Sequence, residues 1–347
     1  MIPTQMQAYV LTGFGSYDKL ELRDNVPVPT AQAHEVLIKV SACGINNTDI
    51  WTREGAYGAS EEAGWQGGGF SFPRIQGADA VGHIVAVGQA VDSARIGQRV
   101  IVNPSIYAHT AQPLFDATYV GSEHDGGFAQ YMVVPSSNAL LINSPYSDAE
   151  LATFMIAYQT AEHMLDKAQV NSQDVVLVTG ASGGVGSALV QLALIRGAQV
   201  IVQVGKGKEQ PLLDLGVAGV LYRDEMATPE LIKAKFPGLA VTVVADIVAG
   251  SQVPALLECL AVGGRYVTAG AIAGPIVTLD WRKVYLKHLS ILGATMGSAK
   301  HAQAIVQYIE NGQLKPLLAK AYPLAQLVQA QKDFKEKTFF GKLVVTV

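Results

Sequence analysis

Cysteine is scarce in this chain: Cys43 and Cys259 are the only two in 347 residues. Two isolated thiols exclude a disulfide framework and any Cys-x-x-Cys metal or redox motif. Charge is scarce as well. Asp, Glu, Lys and Arg make up 16% of the sequence and sum to −4, with no basic stripe, so nucleic acid is excluded as a partner. The seven histidines contain no His-Glu-x-x-His motif and no i, i+4 pair. No apolar run reaches the roughly eighteen residues of a membrane span. The opening Met-Ile-Pro-Thr-Gln-Met lacks the charged and apolar regions of a secretion signal. These gaps predict a cytoplasmic protein without a membrane partner. Its length and its 49% hydrophobic content predict two domains with a sizeable core.

Glycine, by contrast, is plentiful, and its most informative cluster lies mid-chain. Asp174 to Thr179 is an apolar, β-branched run suited to a buried parallel strand. Gly180-Ala181-Ser182-Gly183-Gly184-Val185-Gly186 follows. A helix is predicted over 187–196, closed by Gly197, and a second strand over 198–204. Strand, glycine turn, helix and strand in about thirty residues form a βαβ unit. A diphosphate reaches backbone N–H groups at a helix N-terminus only where no β-carbon intervenes, so this unit reads as a dinucleotide site. Residues 180–184 also satisfy Gly-x-Ser-x-Gly, the elbow of a hydrolase nucleophile, but that reading leaves Gly186 and the prompt second strand unexplained. The Thr-Gly-x-x-x-Gly-x-Gly loop of short-chain dehydrogenases fits too. Those enzymes carry it near the chain start with a Tyr-x-x-x-Lys pair, and none of the 13 tyrosines here has lysine four positions on.

Around this unit the period of the sequence changes. Short strands are predicted before residue 135, among them 35–41, 79–88, 99–103 and 128–134, with long loops at 55–72 and 104–127. They predict a compact barrel-like β structure. Residues 148–167 read as helix. Strands at 241–248, 264–270 and 289–293, a helix at 253–260, helices at 301–311 and 323–335, and a last strand at 342–347 complete the chain.

This order, with Gly44-Ile-Asn46-Asn-Thr-Asp49, Gly97-Gln-Arg-Val100, Gly126-Gly-Phe-Ala-Gln-Tyr131, Ala181 to Gly186 with Gln191, and Gly341-Lys-Leu-Val-Val345, resembles the medium-chain dehydrogenase/reductase superfamily, most closely its zinc-independent quinone oxidoreductase branch. The resemblance implies an α/β chain of two domains. One is a GroES-like β-barrel-type catalytic domain (1–157 and 294–347), and the other a Rossmann doubly wound parallel sheet (158–293). It departs from the branch at Leu194 and in the 55–72 loop. Zinc-dependent members hold their metal with Cys, His and a second Cys, plus a nearby Glu. Here Asn46 stands at the first Cys position, Gly77-Ala78-Asp79 replaces Gly-His-Glu, and Ile156 takes the second Cys position, so no zinc site is expected.

The activity so implied is NADPH-dependent hydride transfer to a small-molecule electrophile, a quinone, enone or alkenal. A zinc-type alcohol dehydrogenase and a cofactor-binding protein without turnover are the alternatives. Ala181 to Gly186 would hold the diphosphate. By resemblance, Thr160 lies beside the nicotinamide and Thr268, Ala269 and Gly270 line its other side. Gly205 ends the second strand where folds that choose NAD keep an acid for the ribose hydroxyls, and Lys206 and Lys208 follow as cations for a 2′-phosphate. Asn46 is expected to donate to the developing oxyanion and Tyr57 to donate a proton or stack on the substrate. The segment 274–292 resembles the part of the branch that extends the sheet across a dimer, which predicts a homodimer.

Overall fold

The computed structural model describes residues 1–56 and 70–347. Its chain folds as two compact units, Met1–Ile156 with Ser298–Val347, and Ala157–Gly297. Among the described residues no helix is long and apolar enough to cross a membrane.

The first unit is built around the strand Glu35–Gly44. It pairs antiparallel with Asp79–Val87, Tyr131–Pro135 and Lys342–Thr346. Arg99–Val102, Ala139–Leu141 and Leu318–Pro323 complete this seven-stranded sheet, and Gln5–Leu11 and Leu20–Pro27 form a separate ribbon. Val36, Ile38, Val40, Ile84, Phe128 and Val345 meet in one core. One close approach fixes the site described below. A β-carbon on Gly44 would lie 2.2 Å from the Ala152 carbonyl, so only glycine lets the strand end run against the segment leading to Ile156. The C-terminal strand pairs with that same end, Val344 opposite Gly44 and Val345 opposite Cys43, and so carries Lys342 to it.

The second unit is a six-stranded sheet in the order Gly219–Tyr222, Gln199–Val204, Val175–Val178, Val243–Asp246, Arg265–Thr268, Ser290–Gly293. Every neighbouring pair is parallel. Val175–Val178 and Val243–Asp246 are buried at every position, as strands covered on both faces must be. Numbered along the chain, the order is 3-2-1-4-5-6. The direction of winding therefore reverses between Val175–Val178 and Val243–Asp246, where such sheets open a crevice at their carboxyl ends.

Several details differ from the sequence reading, among them the following. The helix after the glycine turn is Gly184–Ile195, starting three residues earlier than expected because the last glycines are its first turn. The stretch 323–335 is the end of a strand, a short 3₁₀ turn and then the helix Leu327–Glu336. Strands Gly219–Tyr222 and Leu318–Pro323 lack an alternating or β-branched run and were not expected.

Candidate active site

The glycine loop of the second unit links Val175–Val178 to the helix Gly184–Ile195 at the reversal point of the sheet. Gly180 adopts φ +59°, a left-handed turn that glycine takes without strain. Gly186 has a different constraint. A β-carbon there would lie 2.2 Å from the Gly180 carbonyl, so glycine is what lets the helix start close against the strand. Gly183 caps the helix, and its own N–H turns back to the Gly180 carbonyl at 3.1 Å. The amides of Gly184, Val185 and Gly186 are then the first-turn donors with no intrahelical acceptor. The Ala181 amide points elsewhere, to the Gln203 carbonyl at 3.3 Å. Ser182 stays half-buried on the loop. Three convergent amides at the positive end of a helix dipole fit a diphosphate.

Facing the loop is the segment after Val243–Asp246. The Asp246 carboxylate is fully buried and accepts from the Thr179 and Tyr266 hydroxyls and from the backbone of Val248 at 2.8 Å and Ala249. This network holds Ile247 and Val248 against Gly180, where a β-carbon would come within 3.0 Å of Val248 Cγ2. Burial and the adjacent carboxylate raise the Tyr266 phenol far above its ordinary value, keeping it a proton donor to Asp246.

Most of the remaining expected cofactor residues lie at the carboxyl ends of other strands. Gly205, Lys206 and Lys208 follow Gln199–Val204, and no atom lies within 4 Å of a β-carbon built on Gly205. Lys206 forms an exposed ion pair with Asp224 at 2.7 Å. Burial, and then the charge of Arg223, pull the Lys208 ammonium down. Arg223 is the residue the sequence reading missed. It follows the unexpected strand Gly219–Tyr222, and its amide bonds to the Val204 carbonyl at 2.8 Å, which brings three cations to one sheet corner. Thr268 ends its strand, with its hydroxyl on the Gly270 carbonyl at 3.2 Å and Ala269 between them. Thr160 is nearly buried in the helix Met155–Lys167 and its hydroxyl meets Met296 Sδ at 3.2 Å.

Asn46 belongs to the first unit, and there it is part of a buried polar cluster. It caps the helix Asn47–Arg53, and its backbone amide donates to Asp49 Oδ2 at 2.8 Å. Its Nδ2 donates to Asp79 Oδ2 at 2.9 Å, and its Oδ1 accepts from Lys342 Nζ at 2.5 Å. Lys342 also donates to Asp79 Oδ2 at 2.8 Å, while Asp79 Oδ1 accepts the Ile156 amide at 2.6 Å. Burial pushes the Asp49 carboxyl up to about 7. The Asn46 and Gly77 amides and Lys342 oppose that rise, and Asp79 adds to it. Burial and then the two carboxylates push the Cys43 thiol well up as well, so it is a protonated core residue. Tyr57 lies outside the described residues, as does most of the 55–72 loop.

Comparison with known proteins is decisive at this point. Residues 32–144 match the family described as alcohol dehydrogenase GroES-like domain, and residues 184–311 the one described as zinc-binding dehydrogenase. A solved structure from Sinorhizobium meliloti 1021, assigned to the alcohol dehydrogenases, is 49% identical, covers 99% of this chain and 97% of that one, and superposes with a TM-score of 0.95. The chain belongs to the medium-chain dehydrogenase/reductase superfamily. Within it, quinone oxidoreductase of Rattus norvegicus is 28% identical, covering 98% of this chain and 97% of that protein. The 2-methylene-furan-3-one reductase of Solanum lycopersicum is 29% identical, covering 99% of this chain and 80% of that protein.

Zinc, which many members of the superfamily use, does not fit the residues present. Asn46, Ala78 and Ile156 supply an amide, a methyl and an alkyl group, and none replaces a thiolate or imidazole. The Lys342 ammonium stands between Asn46 and Asp79, putting a fixed positive charge beside the one carboxylate of the set. Among the described residues no three His, Cys, Asp or Glu side chains gather as a metal cluster. Lys342 is the second residue the sequence reading left without a role. It was quoted within Gly341-Lys-Leu-Val-Val345, but its partner Asn46 is 296 positions away, and only the pairing of the last strand joins them.

Proposed function

We propose that this protein is an NADPH-dependent, metal-independent oxidoreductase acting on a conjugated electrophile: a quinone, enone or alkenal. The observation that carries the reading is the Asn46–Asp79–Lys342 cluster, which sets a hydrogen-bonded cation against two positions that, by resemblance, match zinc ligands of metal-dependent members. Oxidising a simple alcohol requires something to ionise its hydroxyl, and a Lewis-acid metal is the usual device. An acceptor whose conjugation already spreads the charge left by hydride addition needs only hydrogen-bond donors. The names of the rat and tomato relatives support the same substrate class.

The bound nicotinamide supplies the hydride. The chain's own residues bind and orient. Gly184, Val185 and Gly186 offer their amides to the diphosphate, with Ala181, Ser182 and Gly183 shaping the turn. Lys206, Lys208 and Arg223 offer charge to the 2′-phosphate, and Gly205 leaves the ribose without the acid that would favour NAD. Thr160 and Thr268 to Gly270 flank the nicotinamide. The Asn46 amide steadies the developing oxyanion, and Tyr57 stacks on the substrate or donates to it.

The test is NADPH and NADH consumption against a panel of quinones, enones, alkenals, aldehydes and alcohols. Turnover should be confined to the conjugated acceptors and be faster with NADPH. A preference for ethanol-like alcohols overturns the reading, and NADPH binding without turnover on any acceptor favours a non-catalytic role.

A further inference from the structure

Ala249 holds a conformation that belongs to glycine. Its φ is +57° and its ψ −140°. A β-carbon is crowded there, and residues other than glycine persist in it only where their surroundings over-determine them. What determines Ala249 is one side chain. Asp246 Oδ1 accepts the Val248 amide at 2.8 Å, and the two carboxylate oxygens share the Ala249 amide at 3.2 and 3.1 Å. The same carboxylate accepts from the Thr179 and Tyr266 hydroxyls. An ionised carboxylate suits this place, since it accepts at both oxygens, at about four sites in all, and offers no proton of its own.

The turn held in this way touches both sides of the crevice where the sheet reverses its winding. On one side is the glycine loop. Thr179 precedes Gly180 in the chain and its hydroxyl also accepts the Ile247 amide at 3.3 Å. A β-carbon on Gly180 would lie 3.0 Å from Val248 Cγ2 and 3.3 Å from the Ile247 side chain. On the other side is the segment 268–274. The Val248 carbonyl accepts from the Ala273 amide at 2.8 Å, and the Gly250 amide donates to the Gly274 carbonyl at 3.2 Å. Tyr266 lies on the strand Arg265–Thr268 that leads into that segment. One buried carboxylate therefore ties together the two loops that flank the crevice.

We propose that Asp246 is a positioning residue for the dinucleotide: it holds the turn at Ala249 in its strained form, and that form sets the spacing of the glycine loop and the 268–274 segment. The proposal rests on the dinucleotide reading of the glycine loop. The strain is held before the cofactor arrives, so binding does not have to order the turn, and the cofactor meets a preorganised site. Without the carboxylate Ala249 relaxes, Val248 leaves Gly180, and the loop amides lose their common aim.

The experiment measures NADPH affinity by calorimetry in three proteins. Asp246→Ser leaves a single hydroxyl where four donors meet and releases the turn. Its NADPH dissociation constant should rise at least about tenfold over wild type. The double variant Asp246→Ser/Ala249→Gly should recover most of that loss, to within about threefold of wild type, because glycine takes the conformation with no carboxylate to force it. Were Asp246 only an acceptor for buried donors, glycine would restore nothing, since the same donors still lack their partner. A folded serine variant with wild-type affinity overturns the proposal, and so does a double variant that binds no better than the single one. If the serine variant does not fold, Ala249→Gly alone decides. Relief of strain should raise its unfolding temperature, and an unchanged or lower one overturns the proposal. A wild type that binds neither NADPH nor NADH removes the dinucleotide reading and the proposal with it, whereas normal wild-type binding with unaffected variants removes the proposal alone.

Discussion

Asp49 should make this protein less stable as pH rises from the acid range towards neutrality. Its carboxyl is pushed by burial from an ordinary 3.8 up to about 7. The folded chain therefore holds this proton up to about pH 7, whereas the unfolded chain releases it near 3.8. Folding takes up a proton across that interval, so the contribution is full below the lower value and is lost as pH rises to the higher one. The interval from 3.8 to about 7 corresponds to roughly 4 kcal/mol, at about 1.4 kcal/mol for each pH unit. Asp49→Asn keeps the shape and an acceptor oxygen for the Asn46 amide but cannot ionise. Urea unfolding of both proteins between pH 5 and pH 8 isolates this group, because all the others titrate alike in the two. Relative to the variant, the wild type should lose about 3 kcal/mol between pH 5 and pH 7 and little more up to pH 8. Parallel curves would show that Asp49 is ionised throughout, and the account of the buried cluster would fail.

Gly186→Ala places a methyl where the Gly180 carbonyl is 2.2 Å away. It should cost about 1–3 kcal/mol of stability and at least tenfold in dinucleotide affinity by calorimetry, and unchanged binding would refute the loop assignment. Replacing Lys206, Lys208 and Arg223 together by alanine should weaken NADPH by about ten- to a hundredfold and leave NADH nearly unchanged; equal losses for both cofactors would remove these residues from the 2′-phosphate. Ile276, Trp281, Tyr285 and Leu286, in the segment leading to the edge strand Ser290–Gly293, and Ile291 within that strand are exposed, apolar surface of the kind that subunits cover. Sedimentation velocity should find a homodimer that Ile291→Lys with Trp281→Glu converts to monomer, and a monomeric wild type at micromolar concentration would rule it out.

Much of the fold was legible because its signals are local. The glycine turn, the β-branched runs at 175–178 and 243–246 and the period of the helix at 299–310 each lie within a dozen residues. Strand Gly219–Tyr222 was not legible, since it carries one β-branched residue in four and depends on its parallel neighbour for its form. Arg223 was lost with it. Asn46 was legible as a departure from a ligand pattern, but its committed bonds were not. The residues that define its chemistry, Asp79 and Lys342, come from two other strands, and register alone brings them together. Asp246 was hidden for a similar reason. Nothing in the run Val-Val-Ala-Asp marks an acid that accepts from two hydroxyls and two amides.

The central claim is hydride transfer from NADPH to a conjugated carbon without metal, and the position of the transferred atom tests it most directly. Metal-depleted protein is given an enone and NADPH deuterated at the transferable C4 position, and the product is read by NMR and mass spectrometry. The account predicts a saturated ketone carrying one deuterium at its β-carbon, formed at the same rate with or without a chelator. Deuterium at the carbonyl carbon of an alcohol, or transfer that appears only after zinc is restored, would contradict it.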